Sequence, residues 1–261
     1  MSSDSRWAIV TGASSGIGKA LALECAKAGF NVVLTGRNEA ALAAVASQCA
    51  GSFHVSTDCI AADLSQMESI DRLTREILAK PRQYELLVNN AGFGIHGNFS
   101  LSNIDEELQL LNVQLAAALK LTKAVLPSMV SRKSGRILNV ASVYGYSPVP
   151  FQSVYSACKA FLVSFSASIR NELRDSGVTV TVFAPGITKS QFRARAGIAD
   201  KSSGMSAESA ARIAFLATMQ GKAVVIPGLP NRLFVFVSRI LPGGAFANVV
   251  NFINRIRGVS K

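Results

Sequence analysis

The sequence predicts an α/β domain wound around both faces of one parallel sheet, and three observations predict it. Short, apolar, β-rich runs alternate with longer helical patterns along most of the chain. The first run leads straight into a glycine-rich turn that opens a helix, and Gly29 and Gly177 stand where helices should stop. Strands that are apolar throughout, rather than alternately, are buried on both faces, as in a doubly wound parallel sheet. Right-handed crossovers then fix the winding. The 261 residues suit one domain. No internal repeat, low-complexity stretch or linker divides them, so the expectation is a single domain over residues 1–228 with a helical C-terminal extension at 229–261.

The elements follow in order. "WAIVT" (7–11) starts the sheet, and "IGKALALECAKAG" (17–29) carries the apolar period of a helix. "NVVLT" (31–35), "SFHVST" (52–57), "LLVNN" (86–90), "RILNVA" (136–141), "VTVTVF" (178–183) and "AVVI" (223–226) are the remaining strands. His54 falls inside the third and is expected to be packed. "DEE" (105–107) is expected to open a solvated helix, its charges favouring the N-terminus. "QSVYSACKAFLVSFSASIRNELRDSG" (152–177) is the longest helical stretch. Cys25, Cys49, Cys59 and Cys158 form no CxxC pair, and with two histidines no metal-ligating cluster emerges. Buried, reduced thiols in a cytoplasmic protein are expected, with no bound metal. The N-terminal residues lack the pattern of a secretory signal, and no run of 18 apolar residues suggests a spanning helix.

The turn after the first strand reads "TGASSGIG", with Gly12, Gly16 and Gly18 spaced G-x3-G-x-G. A strand that turns sharply into a helix presents the helix's first N–H groups to an anion, and the glycines let backbone approach a pyrophosphate. Ser14 and Ser15 add hydroxyl donors, and Ile17 lies between the last two glycines. The second strand ends "TGR". Gly36 occupies the place where an NAD-binding sheet carries an acid for the ribose 2′-hydroxyl, and Arg37 follows it. A guanidinium offers a fork for a 2′-phosphate that a carboxylate would repel, so NADP(H) is expected over NAD(H). Asp63, with Leu64 after it, follows the third strand; its carboxylate is placed to accept from an adenine amino group and could equally cap the next helix, two compatible roles.

With "NNAG" (89–92), Asn112 in "LLNV", Ser142 in "NVASVYG", Tyr155 and Lys159 in "YSACK", and "PGI" (185–187) followed by Thr188, the chain resembles the short-chain dehydrogenase/reductase family over about residues 6–228. The resemblance implies a Rossmann-type fold and NAD(P)-dependent exchange of a hydride between a carbonyl and an alcohol. It implies Asn112, Ser142, Tyr155 and Lys159 as the catalytic set. Asn90, Ala91 and Gly92 would line the cofactor, and Pro185, Gly186, Ile187 and Thr188 would cradle its nicotinamide end. Lys159 would hold the nicotinamide ribose, Ser142 the substrate carbonyl, and Asn112 a water that relays protons to Lys159. The spacing of Tyr155 and Lys159 has its own physical reading: residues i and i+4 share a helix face. A free phenol has a pKa of ~10, and an ammonium beside it should lower that value. A fall of ~3 units takes about 4 kcal/mol of differential interaction, at roughly 1.36 kcal/mol per unit.

The charge is unevenly placed. The net is +11, with 27 Lys+Arg against 16 Asp+Glu. Residues 189–261 hold 11 of the basic residues but only two acids, Asp200 and Glu208, a net of 11 − 2 = +9. A basic and apolar tail suits an anionic membrane face or an acidic acyl carrier, and equally a solvated helix face. Nucleic acid is not expected, because no binding motif accompanies the charge. Phe246, Val249, Val250, Ile253 and Ile256 recur at helical spacing. "KSQFRARAGIADKSSGMSAES" (189–209) lacks regular periodicity and is expected to form a substrate lid. There Phe192, Ile198 and Met205 offer apolar contacts, and Arg193 and Arg195 could meet an anionic group. A loop histidine without a role is expected at His96. The tail "AVVIPGLPNRLF" departs from the "DGG"-like turn of many family members and looks more like the branch of ketoacyl reductases and hydroxysteroid dehydrogenases with apolar C-termini. A hydrophobic ketone or secondary alcohol is therefore the expected substrate, with a homodimer or homotetramer built on helices such as 152–176. The rival expectation is a non-catalytic NADP-binding sensor or membrane adaptor on the same fold.

Overall fold

Strand β1 (Arg6–Thr11) is buried from Trp7 onward and lies third in a seven-stranded sheet, with two strands on one side and four on the other. The computed structural model describes residues 6–189 and 204–256, with side chains to residue 252. The sheet also contains β2 (Asn31–Gly36), β3 (Thr57–Ala61), β4 (Gln83–Asn89), β5 (Gly135–Val140), β6 (Val178–Phe183) and β9 (Val224–Val225). Their order is β3-β2-β1-β4-β5-β6-β9, and every neighbouring pair is parallel. A separate two-residue pair joins β7 (Thr188–Lys189) to β8 (Met205–Ser206). Winding reverses between β1 and β4, and that switch point is where a ligand cleft opens at the carboxyl ends of the strands.

Alternate side chains of each strand feed two cores. Ala8, Val10, Leu34, Leu86 and Leu138 face α1 (Gly16–Lys27), α2 (Glu39–Phe53) and α7 (Ala207–Met219). Trp7, Ile9, Val33, Leu87 and Ile137 face α3 (Met67–Leu78) and α5 (Ala117–Ser131). Between α4 (Ile104–Leu111) and α5 the helix widens into a π-turn at Asn112–Ala116. The whole helix, Ile104–Ser131, is long and apolar enough to cross a membrane, with a hydropathy of 1.2. Here α5 packs on β4, β5 and α3, and its Lys120 pairs with Asp71. Helix α6 (Ser153–Glu172) covers the β5–β6 region. The chain finishes in α8 (Leu229–Ile240) and α9 (Gly243–Ile256).

A buried polar ladder crosses the sheet from α5 to α6. Asn89 Nδ2 donates to Thr122 Oγ1 (3.2 Å) and to Asn139 Oδ1 (2.8 Å), and Asn139 Nδ2 donates to Ser166 Oγ (2.7 Å). In a low-dielectric interior such a ladder fixes register, because a broken link leaves a polar group without water.

Four local expectations are corrected. The stretch expected as the third strand begins inside α2, and the strand itself runs Thr57–Ala61. His54 is not packed: it closes α2 at φ 57°, exposed to solvent. Alanine-rich α2 extends by intrinsic helix propensity past Gly51 to Phe53. Cys59 is exposed, unlike the other three thiols, because its side of β3 lies at the sheet edge. Asp105 and Glu106 are solvated as expected, but Glu107 is 7% exposed, because the third residue of the run turns inward toward α6.

Asn139→Ala breaks the ladder at its middle and leaves Asn89 and Ser166 short of a partner. At about 1–3 kcal/mol for each of the two orphaned buried groups, stability should fall by about 2–6 kcal/mol. The expected readout is a lower urea midpoint at unchanged m-value; an unaltered midpoint would show that the ladder contributes nothing.

Candidate active site

The cleft at the switch point is built from a clasp between β1 and β4. Thr11 Oγ1 donates to Val88 O (3.2 Å) and accepts the N–H groups of Asn90 and Ala91, both at 2.9 Å. Asn90 Nδ2 returns to Thr11 O (2.8 Å). The glycine loop closes over this clasp. Gly12 has φ +67° and Gly18 lies so close that a Cβ there would stand 2.1 Å from Gly12 O and 2.4 Å from Asn90 Nδ2. Only glycine fits those two positions. Ser15 occupies the N-cap of α1 without a side-chain capping bond. The first-turn N–H groups and two serine hydroxyls are therefore available to an anion, which fits a pyrophosphate. Ile17 is half-buried against the first core. Gln114, 2% exposed, donates to Phe93 O (2.9 Å) and backs Gly92.

Arg37 is exposed at the end of β2. A Cβ on Gly36 would lie 3.5 Å from Ser14 Oγ, so the end of β2 borders the serine side of the loop. Among the described residues Arg37 makes no ion pair. Asp63 does not cap α3, whose N-cap position is Gln66; its Oδ1 accepts from Ser65 N (3.0 Å) and Ser65 Oγ (2.9 Å) and closes the turn before that helix. Leu64, expected beside the cofactor, packs into the second core at 4% exposure.

Tyr155 and Lys159 lie on one buried face of α6, at 8% and 4% exposure, with Lys159 Nζ 5.5 Å from the Tyr155 ring centroid. Lys159 Nζ donates to Val140 O (2.9 Å) at the end of β5. Ser142, two residues on, hydrogen-bonds with Tyr155 and accepts from Tyr144 N (3.2 Å). Asn112 lies at the start of the π-turn, where its own carbonyl accepts from Ala117 N, and its Nδ2 donates to Ser65 O (2.8 Å). π-Turns recur at functional positions because they re-aim backbone groups. The four residues thus come from β5's end, α6 and the π-turn. Pro185 is buried and its carbonyl accepts from Val143 N (3.1 Å), while Thr188 Oγ1 donates to Gly186 O (3.3 Å) and Ile187 is exposed.

The direction of the phenol's shift differs from the expected one. Burial pushes Tyr155 up, Ser142's hydrogen bond works against this, and Tyr144 and Cys158 add to the rise. Burial lowers Lys159 to about 8, and its ammonium is turned to the Val140 carbonyl. Both groups are out of water, so desolvation outweighs the attraction expected from their spacing. Cys158 is likewise pushed up to about 11 by burial and is a poor nucleophile.

Sequence reading missed the apolar surround. Phe93 and Ile95 after β4, Tyr144 after β5, and Leu110 on α4 form one cluster with Tyr155 and Cys158. Nothing in their spacing marks them; only the fold brings them to one wall. Thr11 was read as the end of a strand, and its clasp has no sequence signature. His96 lies 6.1 Å from the Phe151 ring and burial lowers its pKa; its buried Nε2 makes no hydrogen bond with the described residues. Met205 pairs with Thr188 and packs on the first core. Phe192, Arg193, Arg195 and Ile198, and residues 190–203 of the expected lid, lie outside the described residues.

The profile of the short chain dehydrogenase family matches residues 6–201. The chain belongs to the short-chain dehydrogenase/reductase family. Members are oxidoreductases that act on CH–OH groups with NAD(P). This dehydrogenase is 39% identical over 182 residues to the inactive hydroxysteroid dehydrogenase-like protein 1 of Homo sapiens, covering 69% of the chain and 55% of that protein. It is 36% identical over 176 residues to the very-long-chain 3-oxoacyl-CoA reductase of Aspergillus clavatus, covering 67% of the chain and 51% of that protein. The chain thus spans about half the length of these two curated relatives. Among solved structures, a short-chain dehydrogenase from Sphingobium yanoikuyae in complex with NADPH superposes with a TM-score of 0.83 at 29% identity, over 90% of this chain and 93% of that one.

Lys159 gives a pH test. Its folded pKa, about 8, lies below the ordinary 10.5, so between those values the unfolded chain binds more protons. Stability carried by this group therefore rises with pH across that window, and the burden of burying the ammonium is complete below it. Against Lys159→Met, the wild type should gain in urea midpoint from pH 8 to pH 10; a constant difference would mean that Lys159 titrates normally.

Proposed function

We propose that this short-chain dehydrogenase is an NADP(H)-dependent reductase of a hydrophobic ketone, acyl- or steroid-like, with Tyr155 as the proton donor. The observation that carries the reading is the buried Ser142–Tyr155–Lys159 group at the carboxyl end of β5, two strands along the sheet from the glycine loop. When bound, the reduced nicotinamide supplies the hydride. Gly12, Ser14, Ser15, Gly16, Ile17 and Gly18 hold the pyrophosphate, Asn90, Ala91 and Gly92 line the cleft, and Pro185 to Thr188 border the nicotinamide end. Arg37 meets the 2′-phosphate, which favours NADP(H) over NAD(H). Asp63 and the Leu64 backbone flank the adenine.

Ser142 and Tyr155 share a hydrogen bond, so one carbonyl oxygen can be reached by both hydroxyls. Ser142 polarises it, and Tyr155 gives it a proton. A phenol kept protonated by burial is the form that reduction needs. The phenolate left behind lies beside Lys159, whose ammonium stabilises it in a dry site. Asn112 and the π-turn stand where a relay could return the proton to Lys159. The apolar wall of Phe93, Ile95 and Tyr144 excludes water and selects an apolar ketone. The reductase named among the relatives acts on 3-oxoacyl-CoA, which agrees with such a wall.

On this reading residues 1–228 carry cofactor and chemistry, with 189–209 as lid and 229–261 as an extension. Family members are generally oligomeric, and the exposed Phe161 face of α6 suits a homodimer or homotetramer. The cytoplasm, with NADPH at hand, is the proposed location.

Tyr155→Phe should lower kcat/KM for ketone reduction by about 10²–10⁴-fold while NADPH affinity holds. Full turnover in the variant would remove Tyr155 from the mechanism; absence of turnover in the wild type across a ketone panel would favour the non-catalytic sensor. Arg37→Ser should cut kcat/KM for NADPH by about 10–100-fold, as expected for a charge-assisted bond, and leave NADH unaffected. Equal losses with both cofactors would sink the 2′-phosphate assignment.

A further inference from the structure

The C-terminal hairpin has an inner and an outer apolar side, and among the described residues only the inner one is packed. Phe234 and Val237 of α8 and Phe246 and Val250 of α9 pack on Tyr144 and Val149. The Phe234 and Phe246 rings meet edge-on at 5.2 Å, and Phe234 lies 6.2 Å from Tyr144. Arg239 stands 5.1 Å over the Tyr146 ring. The outer side of α8 carries Leu229, Leu233, Phe236 and Ile240, exposed by 78%, 59%, 61% and 63%. Their spacing, i, i+4, i+7 and i+11, draws one stripe along the helix. On α9, Val249 and Phe252 are 45% and 64% exposed. A row of this size is not the scattered exposure that any surface shows.

We propose that the outer face of α8 and α9 docks on an anionic lipid bilayer, from which the enzyme draws its ketone. Charge decides among occupants. Residues 229–261 carry Arg232, Arg239, Arg255, Arg257 and Lys261 and no Asp or Glu. Arg232 and Arg239 are exposed and lie seven residues apart, so they run along one flank of the stripe. A second copy of this chain would bring the same positive charge to the contact. An acidic carrier would satisfy the arginines but leave a four-residue apolar stripe to be covered. A helix that seats an apolar stripe among acyl chains and keeps cations at the headgroups satisfies both.

The same hairpin reaches the catalytic group. Tyr144 belongs both to the cluster around Tyr155 and to the cluster under α8 and α9. One aromatic ring therefore separates the docked helices from the reacting phenol, and an apolar ketone dissolved in the bilayer lies on the side where the cleft's wall is apolar. This delivery half rests on the reductase reading; docking does not.

The test is sedimentation of the full chain, loaded with NADPH, with vesicles of phosphatidylcholine alone and of phosphatidylcholine and phosphatidylserine in equal parts. Binding to the anionic vesicles should exceed that to the neutral ones by about tenfold and drop about tenfold at high salt. Leu233→Glu with Phe236→Glu, both at exposed positions, should abolish binding at unchanged Tm and NADPH affinity. Equal binding to both vesicles, or none, overturns the proposal. So does a lower oligomeric mass in the double variant without vesicle binding by the wild type, which assigns the face to a second copy. Retention on an acyl carrier protein with no vesicle binding also overturns it. Vesicle binding by a chain that reduces no ketone would uphold docking and defeat the reductase reading instead.

Discussion

The fastening of α6 to the sheet is the constraint on which the rest of the molecule depends. Lys159 Nζ reaches the Val140 carbonyl, and about two turns further on Ser166 takes the Asn139 amide. Two adjacent β5 residues thus hold one helix at two levels. An ammonium and an amide are costly to bury without partners, so the helix has one energetically acceptable rotation about its axis. That rotation points Tyr155 toward Ser142. The Ser142–Tyr155 pair is positioned by groups whose own burial penalises any slip.

The cofactor side obeys a similar rule with backbone instead of side chains. Where winding reverses between β1 and β4, Thr11 and Asn90 close the gap by exchanging hydrogen bonds. The glycine loop then descends onto Asn90 until no Cβ can be tolerated at Gly18. The price of this close approach is a loop whose serines and N–H groups are left facing outward. They are what makes the end of α1 receptive to a phosphate.

Desolvation shapes the chemistry in two directions at once. It makes Tyr155 a weaker acid and Lys159 a weaker base than either would be in water. The two shifts keep the proton on the phenol and bring the amine near working pH. On the proposed mechanism, a proton store and a relay partner are thereby made from the same burial. Tyr144 stands between this pair and the C-terminal helices, so the environment of the phenol continues into the apolar contacts of the tail.

The order of strands and helices, the glycine loop and the i,i+4 pair on α6 were determined by the sequence alone, because each is a local matter of period, turn chemistry or helix geometry. The lone Gly36 and Arg37 at the end of β2 were legible for the same reason. Tertiary structure decided what depends on distance. It turned Glu107 inward, set His54 in solvent and gave Asp63 to Ser65. It brought Phe93, Ile95 and Tyr144 to one wall, and it decided the sign of the Tyr155 shift. Spacing reports which groups are neighbours along a helix, whereas burial, which outweighed that attraction here, is a property of everything packed around them.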